Sequence, residues 1–530
     1  MDVASGAITE APFDSSVSEI VWVGPTNTSI LYINGTNDDV PGGVTLYTAD
    51  IAADTFSPYV SWVSRSGPLT RRSLTSGRTL VASLNAPFQG LKAVQTESGS
   101  INFVVNSLAY WGNGSAYNPD LASTPLSTGQ LYDANFIRHW DTYITPERYA
   151  IFSGVLSGSA SNQSFNGEVK NLLSGLNATV TRPETPVQPF GDQGDYDISP
   201  DGSTVAFLTK APELPKANYT ASYIYLVPHD GSEAPVAVNG PGTTAPEAAK
   251  GASGAPKWSP DGTKLAYVQQ NGISYESDRS QIYVASINGL EAEVSPVAED
   301  WDSSAAGVQW SHDGADLWVS SELYASNRVF VIPHDAEASF EPANITGPDT
   351  SLADFAVLPD GSALVSAAAS WTSRVFYTQA PGEDKNILFT ANEVDPELEG
   401  LKPDSVSNFW YEGGDGDQIQ TFVFYPTDFD PGKKYPLAFI VHGGPQSSQA
   451  DNWSTRWNLR LWADQGFVVT SPQFTGTPSY GQAFTDKIQN NWGGTPYRDL
   501  VKLFEYLEAN VSYIDTDNAI AAGASYGGYM

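Results

Sequence analysis

Two architectures in series are predicted: a β-propeller over residues 1–405 and an α/β sheet of the hydrolase type over residues 406–530. Three observations predict them. A strand–turn–strand unit recurs along the first four hundred residues, and the recurrence stops near residue 406. Beyond that point apolar strands alternate with a helix, and the chain closes on Gly523-Ala524-Ser525-Tyr526-Gly527.

The recurring unit reads DYDISPDGSTVAFLTK (195–210), APKWSPDGTKLAYVQQ (255–270), GVQWSHDGADLWVSSE (307–322) and DFAVLPDGSALVSAAA (354–369). From Pro200 to Pro260, His312 and Pro359 the spacings are 60, 52 and 47 residues. Weaker copies occupy 18–35 and 91–108, and each copy is followed by a third apolar-alternating strand, such as RYAIFSGVL or QIYVASING. Alternation marks half-buried antiparallel strands. Four-stranded units at this period are propeller blades; a β-sandwich would lack the long period. Residues 109–142 read as an insertion in the second unit. Residues 4–24 run parallel in pattern to 286–314, so residues 1–13 read as the tail of an earlier blade. The expectation is about seven blades, the first incomplete, in a chain that starts inside its whole protein.

After residue 406 the character changes. YPLAFIVHGGP (435–445) is nearly continuous in apolar residues, as a strand buried on both faces should be, and GFVVTSP (466–472) and AIAAG (519–523) read the same way. IQTFVFYP (419–426) is a further strand, and DLVKLFEYLEAN (499–510) a helix with Leu500, Leu503, Phe504 and Leu507 on one stripe. Strands alternating with helices indicate a parallel sheet.

Ser525 stands in the G-x-S-x-G pattern of a strand-to-helix bend that exposes a nucleophile, with an apolar strand before it. Gly523 and Gly527 fit the close backbone approach that such a bend imposes. His442-Gly443-Gly444-Pro445 ends a core strand, where hydrolases of this type place an oxyanion donor. The backbone N–H groups of Gly444 and Tyr526 are the expected oxyanion pair, a single such donor being worth about 3 kcal/mol in the transition state. His442 is a candidate substrate contact, though a packed imidazole is the plainer reading of it.

Composition narrows the partners. A net charge of −34 argues against nucleic acid, whose phosphates require clustered Lys and Arg. No apolar run is long enough to span a bilayer, so no membrane partner is expected. There is no cysteine, no metal-ligand cluster and no dinucleotide loop, so neither metal nor cofactor is implied. N-x-S/T sequons at Asn27, Asn34, Asn113, Asn162, Asn177, Asn218, Asn344, Asn452 and Asn510 point to a secreted, glycosylated protein whose leader is absent from this chain.

The propeller, HGGPQSSQADNWSTRWN (442–458), NNWGGTPYRDL and IDTDNAIAAGASYGGYM (514–530) together resemble the prolyl oligopeptidase family of serine peptidases, and within it the secreted fungal dipeptidyl peptidases. The resemblance implies an acyl-enzyme at Ser525 and release of dipeptides from peptides with free N-termini. It also implies a triad in the order Ser, Asp, His, and all five histidines lie before Ser525. The chain is therefore expected to stop before those partners and to be inactive alone. PQFTGTPSYG (472–481) lacks the arginine that relatives commonly carry in this loop, so no ligand role for it is carried over. Glu276, with Asp278 in SYESDR (274–279), is the candidate anchor for a substrate ammonium; a solvated acidic turn is the plainer reading. Two other functions are weighed: an acylaminoacyl peptidase or oligopeptidase of the same family, and a non-catalytic propeller binding module.

Overall fold

The computed structural model describes residues 17–23, 29–35, 37–50, 78–110, 113–123, 126–158, 163–165, 167–176, 179–247, 250–398 and 400–530. Among them are six four-stranded antiparallel sheets of the blade type. Each expected third strand takes that place: Val44–Asp50, Arg148–Leu156, Ser222–Pro228, Ser280–Asn288, Asn327–Pro333 and Thr372–Gln379. The insertion also falls where expected, between Ile101–Ala109 and Arg148–Leu156, which pair along their whole length. The earlier blade expected in residues 1–13 lies outside the described residues.

The repeated turn has one chemistry. Asp201, Asp261 and Asp313 each accept a hydrogen bond from the backbone N–H two residues on, at 2.9, 3.0 and 3.1 Å. Each also accepts one from the serine two residues before, at 2.5, 2.6 and 2.6 Å. These bonds favour the ionised carboxylate, and Asp261 is held down to about 2 chiefly by Ser259. The following glycines, Gly202, Gly262 and Gly314, take φ of +74°, +70° and +72°, which a Cβ would disfavour.

By compactness the chain divides into two units. The first, Met1–Glu276 with Ile282–Pro296, holds the first four sheets apart from a few residues of the fourth. The second, Ser277–Gln281 with Val297–Met530, holds the last two blade sheets and a five-stranded mixed sheet. The strands of that mixed sheet are β1 (Val406–Glu412), β2 (Gln418–Phe424), β3 (Tyr435–Val441), β4 (Val468–Pro472) and β5 (Ile514–Gly523). They stand in the order β1-β2-β4-β3-β5. Helix α1, Thr495–Asn510, precedes β5.

Three expectations are corrected here. The sheet is only partly parallel: β4, β3 and β5 run together, whereas the β1–β2 hairpin docks antiparallel on β4. A five-residue link from Tyr411-Glu412 to Gln418 permits only a hairpin, whereas the parallel strands need long crossovers. Among the described residues AIAAG is not covered on both faces: β5 pairs with β3 alone, and Ile520 is 39% exposed. On α1, Leu500, Leu503 and Leu507 are buried, but Phe504 lies at the margin of the stripe, 36% exposed.

Candidate active site

β5 pairs in parallel with β3 up to Val441↔Gly523, and the chain then turns at once into the short helix Tyr526–Tyr529. Ser525 absorbs the bend with φ +55° and ψ −121°, a conformation that costs a non-glycine residue about 1–3 kcal/mol. The glycines around it have no room for a side chain. A Cβ on Gly527 would meet the Val441 carbonyl oxygen at 2.1 Å, and one on Gly523 would meet Gly527 at 2.5 Å.

The glycine-rich corner after β3 reaches the same place. A Cβ on Gly443 would lie 3.4 Å from Ser525 Cβ and 4.0 Å from its Oγ. The Gly443 carbonyl oxygen accepts from His442 Nδ1 at 2.7 Å and from Ser447 Oγ at 2.9 Å. In a planar trans peptide the C=O and N–H point to opposite sides, so fixing the Gly443 oxygen also fixes the Gly444 N–H. Among the described residues neither the Gly444 nor the Tyr526 N–H donates to another protein group. Two backbone N–H groups without a protein acceptor thus lie in the two turns that meet at Ser525, the Gly443 corner and the bend itself.

His442 is buried and stacks on Phe474, ring centroids 4.1 Å apart. Burial pushes its imidazole down to about 4, so it is neutral. With the proton on Nδ1 toward Gly443, Nε2 faces the Thr477 hydroxyl at 3.1 Å. Both ring nitrogens face scaffold atoms, Nδ1 the Gly443 carbonyl and Nε2 the Thr477 Oγ1, which also lies 2.7 Å from the Phe474 carbonyl. The other histidines have their own surroundings: His229 bonds the Phe103 carbonyl, His312 the Val357 carbonyl, His139 stacks on Phe136, and His334 packs near Trp310. Among the described residues no histidine bonds to Ser525.

Sequence reasoning missed what holds this frame. Asp499 is fully buried in α1, accepting from Gly414 N and Thr475 N, each at 2.8 Å. Thr475, in the loop after β4, is fully buried and acts as a strut through that bond. Tyr526 packs between Phe474 and Trp492, and its hydroxyl donates to the Trp492 carbonyl at 2.5 Å. NNWGGTPYRDL was visible as a motif, but nothing in its letters shows that Trp492 and Asp499 face the bend.

Glu276 is exposed between Lys264–Gln270 and Ser280–Asn288, and its carbonyl accepts from Gln270 Nε2 at 2.9 Å. It belongs to the first unit, whereas Ser525, Gly444 and His442 belong to the second. Of the sequons, Asn113, Asn218, Asn344, Asn452 and Asn510 are exposed. Asn34 is a correction: it is 6% exposed within the strand Ser29–Asn34 and has no room for a glycan. Asn27, Asn162 and Asn177 lie outside the described residues. No helix among the described residues is long and apolar enough to cross a membrane. Among them, too, no group of His, Cys, Asp and Glu could hold a metal ion.

The pattern of the prolyl oligopeptidase family matches residues 453–530. Dipeptidyl-peptidase 5 of Aspergillus fumigatus is 48% identical over 535 residues, spanning all of this chain and 70% of that protein. Dipeptidyl-peptidase 5 of Trichophyton equinum is 43% identical over 533 residues, spanning all of this chain and 69% of the relative. Among solved structures, the Pyrococcus horikoshii acylaminoacyl peptidase superposes with a TM-score of 0.65 at 13% identity, over 97% of this chain and 67% of that one. An acylaminoacyl peptidase in complex with Z-Gly-Gly-Phe-chloromethyl ketone gives 0.64 at 13% identity, with the same coverage. At that identity the likeness shows the fold, a β-propeller with an α/β-hydrolase sheet.

Proposed function

The chain belongs to the prolyl oligopeptidase family, and from that membership we propose that it acts as a serine dipeptidyl peptidase with Ser525 as its nucleophile. The observation that supports the reading is the approach of the Gly443 corner to a hydroxyl held at a strained bend, with the Gly444 and Tyr526 N–H groups free of protein acceptors. In the acylation step Ser525 Oγ bonds to the scissile carbonyl carbon and gives its proton to a general base. Negative charge grows on the carbonyl oxygen, and the two N–H groups receive it. Collapse breaks the C–N bond, the protonated amine leaves, and water later releases the dipeptide from the ester.

The substrates in this reading are peptides with a free N-terminus; the relatives' name, dipeptidyl-peptidase 5, supports the peptide class. Glu276 is the proposed ammonium contact; an unchanged KM for unblocked dipeptide substrates on Glu276→Gln would remove it. His442 belongs to the scaffold of the corner in this reading, not to the substrate. The propeller, residues 1–405, restricts access, and residues 406–530 carry the chemistry. Secretion with glycans on exposed sequons such as Asn113 and Asn452 completes the reading, and secreted protein showing no mass loss on N-glycanase treatment would refute that part.

The deciding experiment treats the full-length protein with a fluorophosphonate probe and maps the adduct. Labelling at Ser525 that disappears in Ser525→Ala is expected, together with cleavage of unblocked and not N-acylated peptides. Preference for N-acylated substrates would favour an acylaminoacyl peptidase, and absence of any adduct a binding module.

A further inference from the structure

The segment that carries Gly444 leaves β3 at His442 and meets no regular structure until Arg460. A stretch of that length holds one backbone N–H in place only where it is tied down. Several ties are local. Gln446 Nε2 donates to the Thr485 carbonyl at 3.1 Å, and Gln449 and Gln473 exchange two bonds, at 3.2 and 2.8 Å. One tie differs in kind: Ser448 Oγ donates to Glu322 Oε1. Glu322 ends Asp316–Glu322, the second strand of the fifth blade sheet, and lies in the same compact unit as Ser448.

Among the described residues no Lys, Arg or His pairs with Glu322. Burial raises its pKa, and the bond from Ser448 works against that rise. A half-buried carboxylate without a cation loses part of its hydration and gains no ion pair, so the position is poorly explained by stability alone. The turn it restrains is tight: a Cβ on Gly444 would stand 2.8 Å from the Ser447 N. Ser447 Oγ also donates to the Gly443 carbonyl at 2.9 Å, so a shift at 448 is passed through 447 to the peptide that carries the Gly444 N–H.

We propose that Glu322 is a positioning residue for the oxyanion corner, holding the Gly444 N–H in place through Ser448. The proposal rests on the reading of Gly444 as an oxyanion donor. What the corner requires is an acceptor for Ser448, not a charge, so Glu322→Gln retains the function. Glu322→Leu and Ser448→Ala remove it.

The test uses the full-length enzyme, with turnover of an unblocked dipeptide substrate and deuterium uptake of the 443–449 amides as readouts. In Glu322→Leu and Ser448→Ala, kcat falls about tenfold with KM within about twofold of the parent, and uptake across 443–449 accelerates. Glu322→Gln stays within about twofold of the parent in kcat. Ser448→Ala is the milder change and serves if Glu322→Leu does not fold. Unchanged kcat in both variants, a loss confined to KM, or unchanged uptake overturns the proposal. If parent protein forms no fluorophosphonate adduct at Ser525, the nucleophile reading fails and takes this proposal with it. If the adduct forms in the parent, and at the same rate in Glu322→Leu, only the tether fails.

Discussion

At Gly443 a missing side chain leaves space for chemistry. A methyl there would contact the Ala524 carbonyl oxygen at 3.2 Å and Ser525 at 3.4 Å, tight but without a severe clash. Gly443→Ala should therefore fold, with Tm within a few degrees of the parent, while kcat/KM falls at least tenfold because the methyl occupies the approach to Oγ. Equal turnover would show that substrate comes from another side. His442 gives a pH prediction. Its folded pKa, about 4, lies below the ordinary 6.5. Between those values the unfolded chain binds the extra proton, so stability rises with pH across that window and is lost on acidification. The full effect is about 3 kcal/mol. His442→Gln should flatten the stability–pH curve between about pH 4 and 6.5, as read by denaturant unfolding, and an unchanged slope would contradict neutral burial. The sequence revealed the elbow and the corner because glycine spacing is a backbone requirement written directly in residue type. It did not reveal the partners of His442, since Thr477 and Phe474 reach it through a loop whose path no local pattern encodes.

The element that orders the site is α1. Asp499 joins it to the turn after β1 and to the loop after β4 through two backbone N–H groups. Asp499→Ala would leave the fully buried Thr475 N–H without a partner and should cost about 3 kcal/mol in chemical unfolding. Asp499→Asn should cost nearly as much, because its NH₂ would face an N–H where an acceptor is needed. A loss under about 0.5 kcal/mol in either variant would mean that solvent replaces the carboxylate. At this scale periodicity served well for the blade strands and for Leu500, Leu503 and Leu507. It served poorly for β5, since apolar letters in AIAAG do not say whether a neighbour covers them, and Ile520 is exposed among the described residues. The β1 strand went unread because VSNFWYE owes its place to pairing with β2 and not to a clean alternation.

Over the whole molecule, a run of Asp-Gly turns announces the blades and one bend announces the chemistry. The turns were legible because each needs Asp to cap an N–H and Gly to take positive φ, a demand repeated at Gly202, Gly262 and Gly314. The compact units were not legible, because which blade sheets group with the mixed sheet depends on packing and leaves no compositional seam. The proposed activity depends on one geometry: a single oxygen must reach both the Gly444 and the Tyr526 N–H while its carbonyl carbon, or a phosphorus in its stead, is bonded to Ser525. The most direct measurement is a crystal structure of the full-length protein phosphonylated at that serine. A phosphoryl oxygen about 3 Å from both backbone nitrogens is the predicted result. An adduct whose oxygens all face solvent, with both N–H groups turned away, would contradict it.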